Sequence, residues 1–302
     1  MMRTITPTSA EWSRGLAEAS AIGIPKRLYV SGREVPPKEK CIAVVGTRRP
    51  TGAGREAARE IATRLAQADF AVVSGLALGI DSVAHEATLQ AGGHTVAVLG
   101  CGLEKVYPKK NAPLKARIAE QGTLVSEYEP TMESRPFQFP QRNRIIAALS
   151  RGVVIVEGAA KSGALITARF ALDASRDVYA VPGSIRNPAA VGPNELIRNS
   201  NAALITTADH IFEDIAPGLV WDEMTSAPGP SPVLDEIERA VLLEMDDGRN
   251  PMARLSDEIE AQPGQIALTL SRLEVRGLVV KRPTGYELTD GGARARAGID
   301  HS

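Results

Sequence analysis

Aromatic rings are scarce in this chain: five Phe, five Tyr and two Trp, 4% of 302 residues. A surface assembled from many stacking platforms is thereby excluded, and any stacking must come from a few placed rings. Cysteine is scarcer still. Cys41 and Cys101 sit at the edges of apolar runs, far from any CxxC, so they read as buried thiols in a reducing cytoplasm rather than a disulfide or zinc pair. No stretch approaches 18 apolar residues, and Met1–Ser20 lacks a signal-peptide apolar region, which argues against membrane spanning and export. No His/Cys cluster has metal-ligand spacing, and no cofactor is expected. What is present is ordinary for a globular chain, 43% hydrophobic and 24% charged, with length for about two domains.

An excess of one charge is also missing, since Lys+Arg is 35 and Asp+Glu is 36. The distribution is more telling than the sum. Residues 231–302 carry nine cations and thirteen anions, −4, whereas the remainder carries 26 and 23, +3. An anion-binding surface belongs in the larger first part.

From Cys41 to Ile215, short β-rich apolar runs alternate with amphipathic stretches. The runs predict strands over Cys41–Val45, Phe70–Val73, Thr95–Leu99, Thr123–Val125, Val153–Val156, Val178–Val181 and Ala203–Ile205. Most lack period-2 alternation, as strands buried on both faces do. Arg55–Gln67 and Leu165–Ser175 carry helical apolar stripes. The fold class is therefore α/β, a doubly wound, mostly parallel Rossmann-like sheet with its ligand at the carboxyl ends of the strands. Residues 1–40 form an N-terminal extension that pads the sheet edge, and 41–220 form the Rossmann-like domain. A turn-rich linker (221–232), a small winged-helix domain (233–290) of three helices and a hairpin, and a tail (291–302) complete the chain.

Four segments could carry chemistry. Val45-Gly46-Thr47-Arg48-Arg49 leads off a strand into a glycine-bearing loop and a helix, with no acid from Lys40 to Arg55. Its amides and the helix N-terminus make a ready anion site. The dinucleotide fingerprint GxGxxG is absent, and no acid closes the second strand. Ser74-Gly75 opens a second strand-to-helix turn, followed by Asp81 and His85 at i, i+4, which could hydrogen-bond each other. One His with one Asp is usually structural, so catalysis is not expected there. Arg135-Pro136-Phe137-Gln138-Phe139-Pro140-Gln141-Arg142-Asn143-Arg144 begins a run with four arginines and no acid through Val156. Guanidinium groups for phosphate beside a ring face for a base are what single-stranded nucleic acid needs. The competing reading makes the phenylalanines core and the arginines surface. Finally, Lys161-Ser162-Gly163 superficially suggests a P-loop, but Ala160 stands where glycine must precede the lysine, so ATP hydrolysis is unsupported.

The order of these segments carries a resemblance. Val-Val-Gly-Thr-Arg, Ser-Gly-Leu-Ala-x-Gly-Ile-Asp-x-x-Ala-His, Ser126-Glu127-Tyr128, Phe-Pro-x-Arg-Asn-Arg-Ile-Ile-Ala-x-Leu-Ser (139–150) and Val-Glu-x-x-x-x-Ser-Gly-Ala-Leu-Ile-Thr-Ala (156–168) follow one another. Val181-Pro182-Gly183 and Gly192-Pro193-Asn194 come next. The chain resembles the DNA processing protein A family (DprA, or Smf) over about residues 25–215, and more weakly in a C-terminal winged helix. That resemblance implies a non-enzymatic, homodimeric protein that binds single-stranded DNA and loads RecA recombinase on it in natural transformation. Backbone contacts would come from Gly46, Thr47, Arg48, Ser74, Gly75, Lys161 and Ser162. Arg135, Phe139, Arg142 and Asn143 would hold the neighbouring nucleotide. Two departures stand out, Leu78 where the family usually has Arg and Ala53 where Tyr usually precedes Gly54. The alternative class is a nucleotide-ligand sensor or enzyme using the same amides, with Asp81, His85 or Glu157 as polar handles.

Overall fold

The computed structural model describes residues 2–215, 234–245, 250–259, 261–282 and 285–289, and single positions 292, 296 and 299. The expected linker lies outside the described residues, as does most of the expected tail. The chain divides into two units, Met1–Asp222 and Glu223–Ser302.

In chain order the first unit contains β1 (Met2–Ile5), α1 (Arg14–Glu18), β2 (Leu28–Gly32), β3 (Cys41–Val45), α2 (Gly52–Gln67), β4 (Ala71–Ser74) and α3 (Ile80–Gln90). It continues with β5 (Thr95–Leu99), α4 (Ala112–Gln121), β6 (Thr123–Ser126), α5 (Gln138–Leu149), β7 (Gly152–Ile155) and α6 (Gly163–Asp173). Last come β8 (Asp177–Ala180), α7 (Val191–Arg198), β9 (Ala203–Leu204) and α8 (Asp209–Ile215). The nine strands form one sheet in the order β1-β2-β6-β5-β4-β3-β7-β8-β9. From β6 to β9 every pairing is parallel, while β1 and β2 join antiparallel. All seven strands read from the apolar runs are present within a residue or so. The first 40 residues contribute two more, which close one edge with hydrogen bonds rather than merely covering it.

The alternation of β3 shows why its run is apolar throughout. Cys41, Ala43 and Val45 face one cluster with α1, α5 and α6, and Ile42 and Val44 face another with α2, α3 and α8. Both faces are dry, so no polar position interrupts the strand. Helix α2 meets the sheet with Ala58, Ile61, Ala62 and Leu65, the stripe expected from its spacing.

Topology then places the site. From β3 the chain proceeds outward through β4, β5 and β6, then returns to β7 on the other side of β3 and proceeds to β8 and β9. The direction of winding reverses between β3 and β7. Their diverging carboxyl-end loops leave a crevice, which is where open α/β sheets bind ligands.

The second unit contains α9 (Glu236–Glu244), α10 (Met252–Glu258), α11 (Pro263–Val275), β10 (Val279–Arg282) and β11 (Gly285–Leu288). Its own core includes Val241, Leu242, Leu255, Ile266, Leu270 and Leu273. The strands pair antiparallel, so the element order is the one on which the winged-helix expectation rests. Arg272 on α11 bonds Asp235 at 3.5 Å, and Arg276, the C-cap residue of that helix, bonds Glu238 at 2.7 Å.

Candidate nucleic-acid interface

A cavity of about 640 Å³ occupies the crevice between β3 and β7. Loop 45–49 beyond β3 forms one wall, loop 159–164 the opposite wall, and the first turns of α5 the floor. Eight of the eleven expected residues line it: Gly46, Thr47, Arg48, Phe139, Arg142, Asn143, Lys161 and Ser162. Gly75 lines an adjoining hollow of about 40 Å³ with Arg48, Leu78, Tyr107 and Phe139. Ser74 is fully buried, its hydroxyl donating to Val44 O at 2.7 Å. Arg135 is exposed outside the lining.

The charge of the cavity is one-sided. Arg48, Arg49, Arg142 and Lys161 line it with a single carboxylate, Asp81. Arg48, Arg49 and Lys161 are exposed and have no ion pair among the described residues. Exposed cations without carboxylate partners at a concave surface attract anions and release counterions when one binds.

Arg142 lines the cavity but is not the surface arginine of the competing reading. It is 4% exposed, and Nη1 donates to Gly75 O at 2.6 Å and to Val98 O, while Nε donates to Asn143 Oδ1 at 3.1 Å. Its pKa is lowered, chiefly by burial, with the Asp81 charge acting the other way. Asn143 passes the connection on, Nδ2 donating to Gly163 O at 3.1 Å. Arg142 is thus a strut from α5 to the β4 and β5 ends, and Asn143 ties that strut to the start of α6. Arg144 is buried as well, paired with Glu127.

Asp81 and His85 do not bond each other through their side chains. Asp81 accepts from the Gly75 and Ala77 amides at 3.0 and 3.3 Å, and burial raises its pKa. His85 Nε2 accepts from Leu76 N at 3.3 Å, while Nδ1 lies 2.6 Å from a Thr95 hydroxyl that itself donates to Val72 O. The imidazole therefore carries its proton on Nδ1. Both side chains shape the 75–79 loop, in which Leu76 holds φ +54 and Gly79 φ +85. At Gly79 a Cβ would stand 2.3 Å from Thr47 O, so only glycine lets the two loops meet.

Phe139 divides its ring between packing and solvent. One edge lies against Gly100, where a Cβ would stand 2.7 Å from the ring. The Tyr107 ring is 4.8 Å away, and the Arg48 guanidinium carbon lies 5.8 Å over the Phe139 centroid. Neither a pure core residue nor a free platform describes it. Phe137 is 60% exposed and outside the lining.

The amide cradle expected after β3 is largely engaged by the protein. Thr47 N donates to Glu157 O at 2.7 Å, and Arg49 N to Thr47 Oγ1 at 3.3 Å. Polar side chains and the α6 start, where Ser162 Oγ accepts from Ala164 N at 3.3 Å, remain the groups that face the cavity. Tyr107 was missed in the sequence because it stands alone, without a basic run. Its only signal was position, in the loop beyond β5 at the same sheet edge. Of the two family departures, Leu78 is 37% exposed in the small hollow and Ala53 is exposed on the first turn of α2.

Comparison with known proteins agrees with this geometry. The sequence profile described as DNA recombination-mediator protein A matches residues 3–216. Protein Smf of Escherichia coli is 37% identical over 269 residues, 87% of this chain and 71% of that protein. A crystal structure of DNA processing protein A from Streptococcus pneumoniae superposes with a TM-score of 0.66 at 36% identity, over 70% of this chain and 74% of that one. A structure of the Helicobacter pylori protein, reported for its single-stranded DNA binding mode, gives 0.64 at 28% identity over 71% and 95%. No helix among the described residues is long and apolar enough to cross a membrane. The chain is a member of the DNA recombination-mediator protein A family, whose curated relatives are named DNA processing protein A or Smf.

Proposed function

We propose that the protein binds single-stranded DNA in the β3/β7 cleft, protects the incoming strand and presents it to RecA as a homodimer during natural transformation. The observation that carries the reading is the cleft's set of exposed cations, without ion pairs among the described residues, beside a half-buried aromatic ring. Arg48, Arg49 and Lys161 supply phosphate contacts, and the open part of Phe139 supplies a base contact. The DNA-binding mode reported for the Helicobacter pylori relative supports the same assignment. Non-enzymatic action fits the burial of Asp81 and His85, which brace a loop and present no free acid–base pair.

Gel shifts with dT oligonucleotides of increasing length test it: affinity rises with length and falls by about 0.7 log units per log unit of salt for each phosphate contacted. A short salt-insensitive ligand that saturates the cleft would favour the nucleotide-sensor reading instead. Arg48→Ala weakens dT binding by about 1–3 kcal/mol and reduces the salt slope, because a charge-assisted phosphate contact is lost. Wild-type affinity in the folded variant removes Arg48 from the site. Phe139→Ala costs about 1–3 kcal/mol of binding with the salt slope unchanged, since stacking releases no counterion. A changed slope assigns its effect to Arg48, which lies over the ring.

The second unit is not needed for this affinity. Arg272 of α11 and its C-cap residue Arg276 already bond Asp235 and Glu238, and the N-terminal end of that helix, Pro263-Gly264-Gln265, carries no cation. A helix that reads a major groove contacts bases from that end. A chain ending at Asp222 should bind dT as tightly as the full chain, with the same salt slope. More than tenfold weaker binding by the shortened chain assigns DNA contact to the second unit.

A further inference from the structure

In a dinucleotide-binding fold the turn after the first parallel strand, with the helix N-terminus behind it, receives the pyrophosphate. In this protein that position is filled from within. Glu157 follows β7 and is 5% exposed. Oε2 accepts from Thr51 N at 2.9 Å, and Oε1 accepts from the Thr51 hydroxyl at 2.7 Å and from Asn187 Nδ2 at 3.2 Å. Thr51 Oγ1 in turn accepts from Gly54 N at 3.0 Å, so the side chain that caps α2 is held by the same carboxylate. The contact is close: a Cβ at Gly54 would stand 2.4 Å from Glu157 Cδ. The backbone of Glu157 also accepts Thr47 N, removing a loop amide from any ligand.

We propose that Glu157 is a resident anion that sets the specificity of the cleft, keeping free nucleotide polyphosphates out of the β3–α2 turn. A diphosphate needs several convergent donors within one small cage, and its own charge would meet a buried carboxylate there. A polynucleotide presents phosphates singly along a backbone, and Arg48, Arg49 and Lys161 can meet those without entering the turn. Asn187, from the loop beyond β8, donates to the same carboxylate oxygen as the Thr51 hydroxyl. The inference rests on the single-stranded DNA reading and refines which phosphate chemistry the cleft accepts.

The test uses the full chain, with ADP followed by calorimetry and a dT oligonucleotide by fluorescence anisotropy. Glu157→Ala, which vacates the position, is expected to bind ADP about tenfold or more tightly than wild type. Glu157→Gln, which keeps the volume and removes the charge, is expected to gain a smaller factor. A folded Glu157→Ala protein with wild-type ADP affinity overturns the proposal, as does a wild type that binds ADP as well as either variant. If Glu157→Ala does not fold, Glu157→Gln decides, and an unchanged ADP affinity overturns the proposal. Loss of dT binding by the wild type would overturn the DNA reading instead, and the ADP comparison would still stand on its own.

Discussion

Replacing Arg142 by Ala should lower the folding stability of the first unit by about 3 kcal/mol and remove dT binding along with it. The guanidinium is buried, and two backbone carbonyls at the ends of β4 and β5, Gly75 O and Val98 O, depend on it for hydrogen bonds. Its charge also offsets that of Asp81, which is buried beside the same loop. Alanine leaves both carbonyls without their donor and the carboxylate without its offsetting charge, and the cost is that of stranded buried polar groups rather than of one surface contact. Denaturant titration of the variant, read against Arg48→Ala, separates the roles. Arg48→Ala should bind weakly at wild-type stability, and Arg142→Ala should lose both. An Arg142→Ala protein with wild-type stability and weakened binding would restore Arg142 as a direct nucleotide contact and refute its role as a strut. Gly75→Ala gives an independent check, because the added Cβ would stand 2.5 Å from the guanidinium nitrogen.

The contrast between Arg48 and Arg142 shows which part of the site was legible in the sequence. Strands buried on both faces write themselves as apolar runs, so the parallel sheet and its crevice followed from Cys41–Val45 and its successors. Arg48 was legible because a cation just beyond such a run must lie at the sheet's carboxyl edge. Arg142 lies within α5, where a basic run with interleaved rings looks the same whether the helix faces solvent or core. Helical phase does not decide between them, because Arg142, Asn143 and the six residues after them in α5 are all buried. Amphipathicity gives no warning when a helix is enclosed all round and its polar residues are paired with backbone. Glu157 was legible only as a polar handle, since its partners Thr51 and Asn187 are 106 and 30 residues away. The strands β1 and β2 were missed as strands for a different reason. Short antiparallel strands near the sheet edge, in a Pro-punctuated stretch, carry neither a long apolar run nor a clean alternation.

Acidification should destabilise the first unit, and His85 should account for about 2 kcal/mol of the loss between about pH 7.5 and pH 5. Burial, aided by the charge of Arg142, holds its pKa down at about 3 against an ordinary 6.5. The ring has no room for a second proton, because Nε2 already accepts from the Leu76 amide. A depressed folded-state pKa gives the sign. Above about pH 6.5 both states hold neutral imidazole and the contribution is complete; as pH falls, the unfolded chain takes up a proton that the folded chain refuses, and stability drains until the folded pKa is reached. His94 acts in the same direction, lowered to about 4 by burial and by Arg33, with Nε2 at 2.8 Å from the Thr123 hydroxyl. Asp81, whose pKa burial raises, binds its proton earlier in the folded state and offsets part of the loss. Glu18 is held at about 2 by hydrogen bonds from Lys38 and Arg176, so its own contribution is lost only below the ordinary 4.5, outside this window. The measurement is urea unfolding at the two pH values for wild type and His85→Gln. Wild type should lose about 2 kcal/mol more than the variant, because glutamine cannot titrate. Equal losses in the two proteins would mean that the loop around Leu76 opens to admit the proton, and that His85 is not the rigid brace its hydrogen bonds describe.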